Sequence, residues 1–131
     1  MRDERMINKT SSNREWRKIF VQRLLKFGVA VIRLASKFPR TPAGFAIANQ
    51  LIKSATSIGA NFVEAQDASS ARDFVQKLSI ALREARETIY WLQIVKMSGL
   101  VSETLLTESI KEGNEIIAVL VTSVKSSKLK L

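Results

Sequence analysis

The sequence contains no cysteine and no histidine. Without cysteine there is no disulfide framework, no thiolate metal site and no thiol nucleophile. Without histidine the chain lacks the usual general base near neutral pH and the usual imidazole ligand. Two prolines and five glycines punctuate 131 residues, a scarcity that favours long uninterrupted helices over a many-turned β-fold. Long apolar runs are missing as well. The most apolar region, Ile19 to Ala35, is broken by Arg23, Lys26 and Arg33 and is too charged to span a bilayer. The opening Met1-Arg2-Asp3-Glu4-Arg5 has no signal-peptide character, and a cytoplasmic protein is expected.

What is present is apolar and basic. Hydrophobic residues make up 46% of the chain and charged residues 25%, the balance of one globular domain able to bury its own core. Formal charge is +9, from 21 Lys and Arg against 12 Asp and Glu. Its location is uneven. Residues 1–40 hold eleven basic groups against Asp3, Glu4 and Glu15, whereas the remainder holds ten against nine. Such asymmetry points to a polyanionic partner.

Apolar spacing predicts four helices, over 13–37, 42–66, 70–98 and 102–125, with flexible ends at 1–11 and 126–131. In the first, Trp16, Phe20, Leu24, Phe27, Val31, Leu34 and Phe38 form one helical stripe, flanked by a weaker one of Val21, Leu25 and Ile32. Arg14, Lys18, Lys26, Arg33 and Lys37 lie opposite the main stripe. Thr41 and Pro42 suit the cap and first residue of the second helix, whose core line is Ala48, Leu51, Ala55, Ile58, Phe62 and Ala65. Phe45, Ile52 and Val63 occupy another side of it, and Ser54 belongs to a polar line. The third helix opens with the capping pair Ser70 and Asp73 and stops at Gly99. Phe74, Leu78, Ala81, Ala85, Thr88 and Leu92 are its core line, and Arg72, Arg83, Arg86 and Tyr90 lie opposite. Arg83 and Glu87 are spaced to pair locally. The fourth helix opens at Ser102 with Leu106, Ile110, Gly113, Ile117, Leu120 and Val124 inward. Four such helices on short connections read as an all-α, antiparallel up-down bundle.

Three stretches carry a resemblance. Gln50-Leu51-Ile52-Lys53-Ser54-Ala55-Thr56-Ser57-Ile58-Gly59-Ala60-Asn61-Phe62-Val63-Glu64-Ala65, then Asp73 to Ala81, then Glu84 to Leu92, resemble the four-helix-bundle protein family. That family includes proteins encoded in intervening sequences of bacterial 23S ribosomal RNA genes and the accessory variability protein of diversity-generating retroelements. The resemblance implies a left-handed bundle that assembles into a ring, typically a pentamer, with a positive nucleic-acid-binding surface. Many members carry Glu-Gly where this chain has Glu64-Ala65.

Catalysis finds little to stand on. Glu64, Glu84 and Glu87 suggest the carboxylates of di-metal bundles, but the Glu-x-x-His motif of such sites cannot be completed without histidine. Their plainer role is capping or ion pairing, so no enzyme, metal or cofactor is expected. Nucleic-acid binding fares better. From Arg14 to Lys37 the helix rises about 35 Å, enough to meet several phosphates. The aromatics of this helix lie on its apolar stripe and not among the basic residues, so no base-stacking platform is expected. An interfacial membrane helix is disfavoured because the other three helices need the same stripe. Surplus apolar faces on the first two helices predict a homo-oligomer. The expected protein is therefore a non-catalytic homo-oligomer binding RNA or DNA through its backbone. Arg14, Lys18, Lys26, Arg33 and Lys37 are the leading contacts, and Arg72, Arg83 and Arg86 the second set. The alternative is a structural adaptor that recruits a protein such as a polymerase.

Overall fold

A computed structural model describes the backbone of residues 4–131 and the side chains of residues 13–131. Four helices account for it: α1 (Glu4–Ala35), α2 (Pro42–Gln66), α3 (Ala71–Ser98) and α4 (Thr107–Lys128), with a 3₁₀ turn over Glu103–Leu105 before the last. Each helix packs on its neighbours in the chain, and α1 closes the bundle by a lighter contact with α4. α3 consequently lies diagonally across from α1. The architecture is the expected four-helix bundle.

The boundaries follow local chemistry. Thr41 caps α2 by accepting a hydrogen bond from the Gly44 amide at 3.1 Å, and Pro42 is its first residue. A side chain at Gly44 would collide with the Pro39 carbonyl oxygen, 1.9 Å from where its Cβ would sit. Ser70 caps α3 through the Asp73 amide at 3.0 Å, while the Asp73 carboxylate reaches back to the Ser69 amide at 3.1 Å. Gly99 ends α3 in the left-handed region, at φ 68°, where glycine has no steric penalty. The α2–α3 turn needs no such residue. α2 ends on Asp67 at φ −102°, and Ala65 is simply a buried core residue.

Helix α1 begins at Glu4, well before the expected start near Asn13, because no proline or glycine interrupts residues 4–13 and Ser and Asn can also sit within a helix. It ends at Ala35, with tighter i to i−3 bonds from Lys37 and Phe38, so Lys37 lies just past its end. Ser102 makes no capping bond; the 3₁₀ turn that follows it delays α4 to Thr107. α4 in turn runs on to Lys128.

The core takes one stripe from each helix. From α1 and its terminal turn come Phe20, Leu24, Phe27, Val31, Leu34 and Phe38, and from α2 come Leu51, Ala55, Ile58, Phe62 and Ala65. The α4 stripe is rotated from its expected position. Leu106, Ser109, Gly113, Ile116, Leu120 and Val124 are buried, with Ile110 and Ile117 at the flank. Phe74 is likewise only half-buried, and Val75 takes the interior place. One expected core residue lies outside. Trp16 is 45% exposed, since it stands at the open end of the bundle, with one ring face stacked on Phe20 at 5.4 Å and an edge contact to Phe62 at 6.3 Å.

Candidate nucleic-acid interface

All eight expected contact residues are exposed, but they do not form one surface. Arg72, Arg83 and Arg86 occupy the outer face of α3, diagonally opposite α1. No single strand on one subunit can cross both faces by a short path. Within the leading set there is a second division. Lys26 and Arg33 lie within about 20° of each other around the α1 axis, while Arg14 lies about 120° from Lys26. Arg14 and Lys18 lean with Arg17 over a groove of about 560 Å³ that reaches Gln66 of α2. Lys26 lines a separate groove of about 370 Å³ against α4, shared with Lys111 and the carboxylates Glu108, Glu112 and Glu115.

Among the described residues, none of the eight is ion-paired to a carboxylate. Arg23 is the contrast. Its guanidinium donates to both oxygens of Glu112, at 2.8 and 2.6 Å, and to Glu115 at 2.7 Å. This fork ties α1 to α4 and holds the Glu112 carboxyl below its ordinary range, chiefly through the Arg23 hydrogen bonds. The cations left over are those facing water.

The expected local pair of Arg83 and Glu87 is not formed. Glu87 instead accepts a hydrogen bond from the Trp91 indole at 3.3 Å. Glu84, half-buried one turn earlier, has its carboxyl pushed up first by burial and next by the Glu87 charge. Glu64 pairs with Lys77 across α2 and α3 at 3.4 Å, the structural role considered for it from the sequence. Among the described residues no group of three or more metal-ligating side chains converges, and no helix is long and apolar enough to cross a membrane.

The flanking stripe of α1 stays uncovered. Leu25 (56% exposed), Val29 and Ile32 face Thr56, Gly59 and Val63 of α2 across a strongly apolar cleft of about 600 Å³. Farther along, Phe45 of α2 is also exposed. A fourth recess lies at the end of the bundle where Trp16 stands. It measures about 330 Å³, has Trp16, Phe62 and Phe74 as its aromatic lining, and carries Arg17, Gln66 and Lys130 at its wall. Arg17 and Lys130 were not among the expected contacts. The signal for this recess in the sequence was Trp16 itself, which sits between Arg14, Arg17 and Lys18.

Fold and surface together define a helical bundle with exposed cations along one helix and an open apolar seam beside them. Sequence comparison gives this class a family. Residues 17–122 match the model of the 23S rRNA-intervening sequence protein family, and the chain belongs to that family. Among solved structures it is similar to a protein of unknown function from the S23 ribosomal protein family of Bacteroides thetaiotaomicron. The two are 32% identical, with a TM-score of 0.77 over 83% of this chain and 97% of the other. No curated protein matches.

Proposed function

We propose that this chain is a non-catalytic, homo-oligomeric accessory protein that binds RNA or DNA through phosphate contacts. The observation that carries this reading is the row of exposed cations on and just beyond α1, Lys18, Lys26, Arg33 and Lys37, unpaired to any carboxylate among the described residues. Such charges release condensed counterions when they meet phosphates, which gives affinity without base selection. Self-association is supported by the apolar seam of Leu25, Val29, Ile32 and Val63, an unusual patch for a soluble monomer. A closed ring, a pentamer as the family resemblance implies, would repeat the α1 cations around an axis and sum their field. The cytoplasm is the location that goes with this reading.

The same apolar seam favours a second reading, in which it seats another protein such as a polymerase and the charge serves docking alone. Charge reversal separates the two. Binding of a labelled structured RNA and a matched DNA duplex is measured across a salt series, with particle mass followed by light scattering. Wild type should bind as an oligomer and weaken steeply with salt, with a log–log slope of about −4 to −5 on duplex for about five phosphates. Lys18, Lys26, Arg33 and Lys37 changed to Glu should abolish that binding while leaving the mass unchanged. Equal binding by the reversed variant would defeat the assignment, and a folded oligomer that binds nothing at low salt would leave the adaptor reading.

A further inference from the structure

We infer that the recess at the end of the bundle takes an unpaired nucleobase, stacked on Trp16, with the adjoining phosphates held by Arg17 and Lys130. This rests on the nucleic-acid reading above and gives it a strand preference and a second kind of contact.

The geometry of Trp16 is the starting point. One face of its indole lies against Phe20, nearly parallel at 10° between planes, and Phe62 abuts it edge-on. With 45% of the residue exposed and its ring lining the recess, the indole keeps apolar surface open there. A base laid there would extend an existing aromatic stack by one layer, which needs no rearrangement of the core. Stacking of this kind tolerates any base, because every base has a π-face.

The walls match the rest of a nucleotide. Arg17 follows Trp16 in the chain and Lys130 approaches from beyond α4, so two cations flank the recess. The Gln66 amide donates to the Phe62 carbonyl at 3.0 Å, which leaves its side-chain oxygen buried and without a donor among the described residues. A buried acceptor that lacks a partner is costly, and the amino edge of a base is one group that could satisfy it once the amide turns toward the recess. Arg17 and Gln66 also line the groove of Arg14 and Lys18. A strand leaving the recess therefore continues directly onto further cations.

Volume selects the ligand. About 330 Å³ accommodates a base and excludes a duplex. In a duplex the interior bases are already stacked on one another and cannot offer a face to Trp16. Single strands should thus gain a contact that duplexes lack.

Fluorescence anisotropy of the full chain tests this with a labelled ten-nucleotide oligodeoxyadenylate and an abasic strand of equal length and charge. Wild type should bind the base-bearing strand about tenfold more tightly than the abasic one. Trp16→Ala should bring the first down to the level of the second without changing the second, whereas Trp16→Phe should keep most of the difference. Circular dichroism checks that both variants fold. As an independent readout, Trp91→Phe leaves Trp16 as the single tryptophan, and its emission should be quenched by the base-bearing strand and not by the abasic one. Equal binding of the two strands by wild type would overturn the inference and leave the phosphate-binding reading standing. Absence of binding to every strand and duplex would overturn both.

Discussion

The Thr88 hydroxyl of α3 and the Ser54 hydroxyl of α2 are hydrogen-bonded across 3.0 Å, and each also reaches a carbonyl of its own helix, Glu84 at 2.8 Å and Leu51 at 3.1 Å. Both hydroxyls are buried in the most extensive helix contact of the bundle. Two polar groups facing each other in an apolar core fix the rotation and register of the two helices, since any slip would strand them. Thr88→Val should cost about 1 kcal/mol, mainly the lost bond, because Ser54 retains its carbonyl partner. Adding Ser54→Ala to Thr88→Val should cost less than Ser54→Ala does alone, since the bond between the two hydroxyls is then already gone. Chemical denaturation of the two single variants and the double variant measures the coupling; strict additivity would show that the pair does not act as one unit.

Two carboxyls make opposite contributions to the pH dependence of stability. The Glu112 carboxyl is lowered first by its hydrogen bonds from Arg23, so the folded state holds its proton less tightly than the unfolded state. Its stabilisation is present above the unfolded carboxyl range, near pH 4, and is lost as pH falls through the lowered value. Because Arg23 and Glu112 are about one-third exposed, the pair contributes no more than about 1 kcal/mol. The Glu84 carboxyl is raised, first by burial and next by Glu87, so the folded state holds its proton more tightly. Stability therefore falls as pH climbs from the unfolded carboxyl value through the raised one. Urea melts from pH 3 to pH 8 should show Glu112→Gln losing the acid-side decline and Glu84→Gln losing the decline on the higher side. A Glu84→Gln protein less stable than wild type at pH 7 would contradict this assignment.

The four helices and three of the four interior stripes were legible in the sequence because apolar spacing is a local property. Thr41, Ser70 and Gly99 marked ends for the same reason: each acts within one turn of its own position. The rotation of α4 was not legible. Ile110 is larger and more apolar than Ser109, yet Ser109 faces inward beside the expected Gly113, where Ile89 and Phe27 come within 2.8 and 3.5 Å of where a Gly113 Cβ would sit. Trp16 was misplaced for a related reason. Its spacing continues the α1 stripe, but the neighbouring helices end beside it, and a sequence stripe carries no record of where its partners stop. The division of the α1 cations also escaped notice, since residues several turns apart drift around a helix that looks linear on paper.

Gly44 gives the sharpest test of the α1–α2 turn. Its Cβ would lie 1.9 Å from the Pro39 carbonyl oxygen and 3.3 Å from the Thr41 hydroxyl that caps the helix. Backbone cannot yield as a flexible side chain would. Gly44→Ala must open the turn and pull Thr41 from its capping position, at a cost of about 2–3 kcal/mol. Gly99→Ala should cost only about 1 kcal/mol, because open space surrounds that position and the penalty is left-handed backbone alone. A thermal melt that ranks Gly99→Ala as the worse of the two would show that the turn is looser than its geometry.

The apolar seam between α1 and α2 separates assembly from folding. Leu25 is more than half exposed in the single subunit, so replacing it with Glu removes little that the bundle itself uses and should change its stability by less than about 0.5 kcal/mol. In a homo-oligomer sealed along this seam, the same replacement would place a carboxylate opposite Val29, Ile32 and Val63 or their copies, in a region with few polar partners. Subunit dissociation should then become easier by at least about tenfold, roughly 1.4 kcal/mol. Tyr90→Glu, on the far side of the bundle at the exposed face of α3, should leave the mass untouched and serves as the matched control. Light scattering across a dilution series reads both variants. A Leu25→Glu protein that keeps its mass at every dilution would place the subunit contact elsewhere, and one that loses mass together with its helical signal would show that Leu25 supports the bundle and not its assembly.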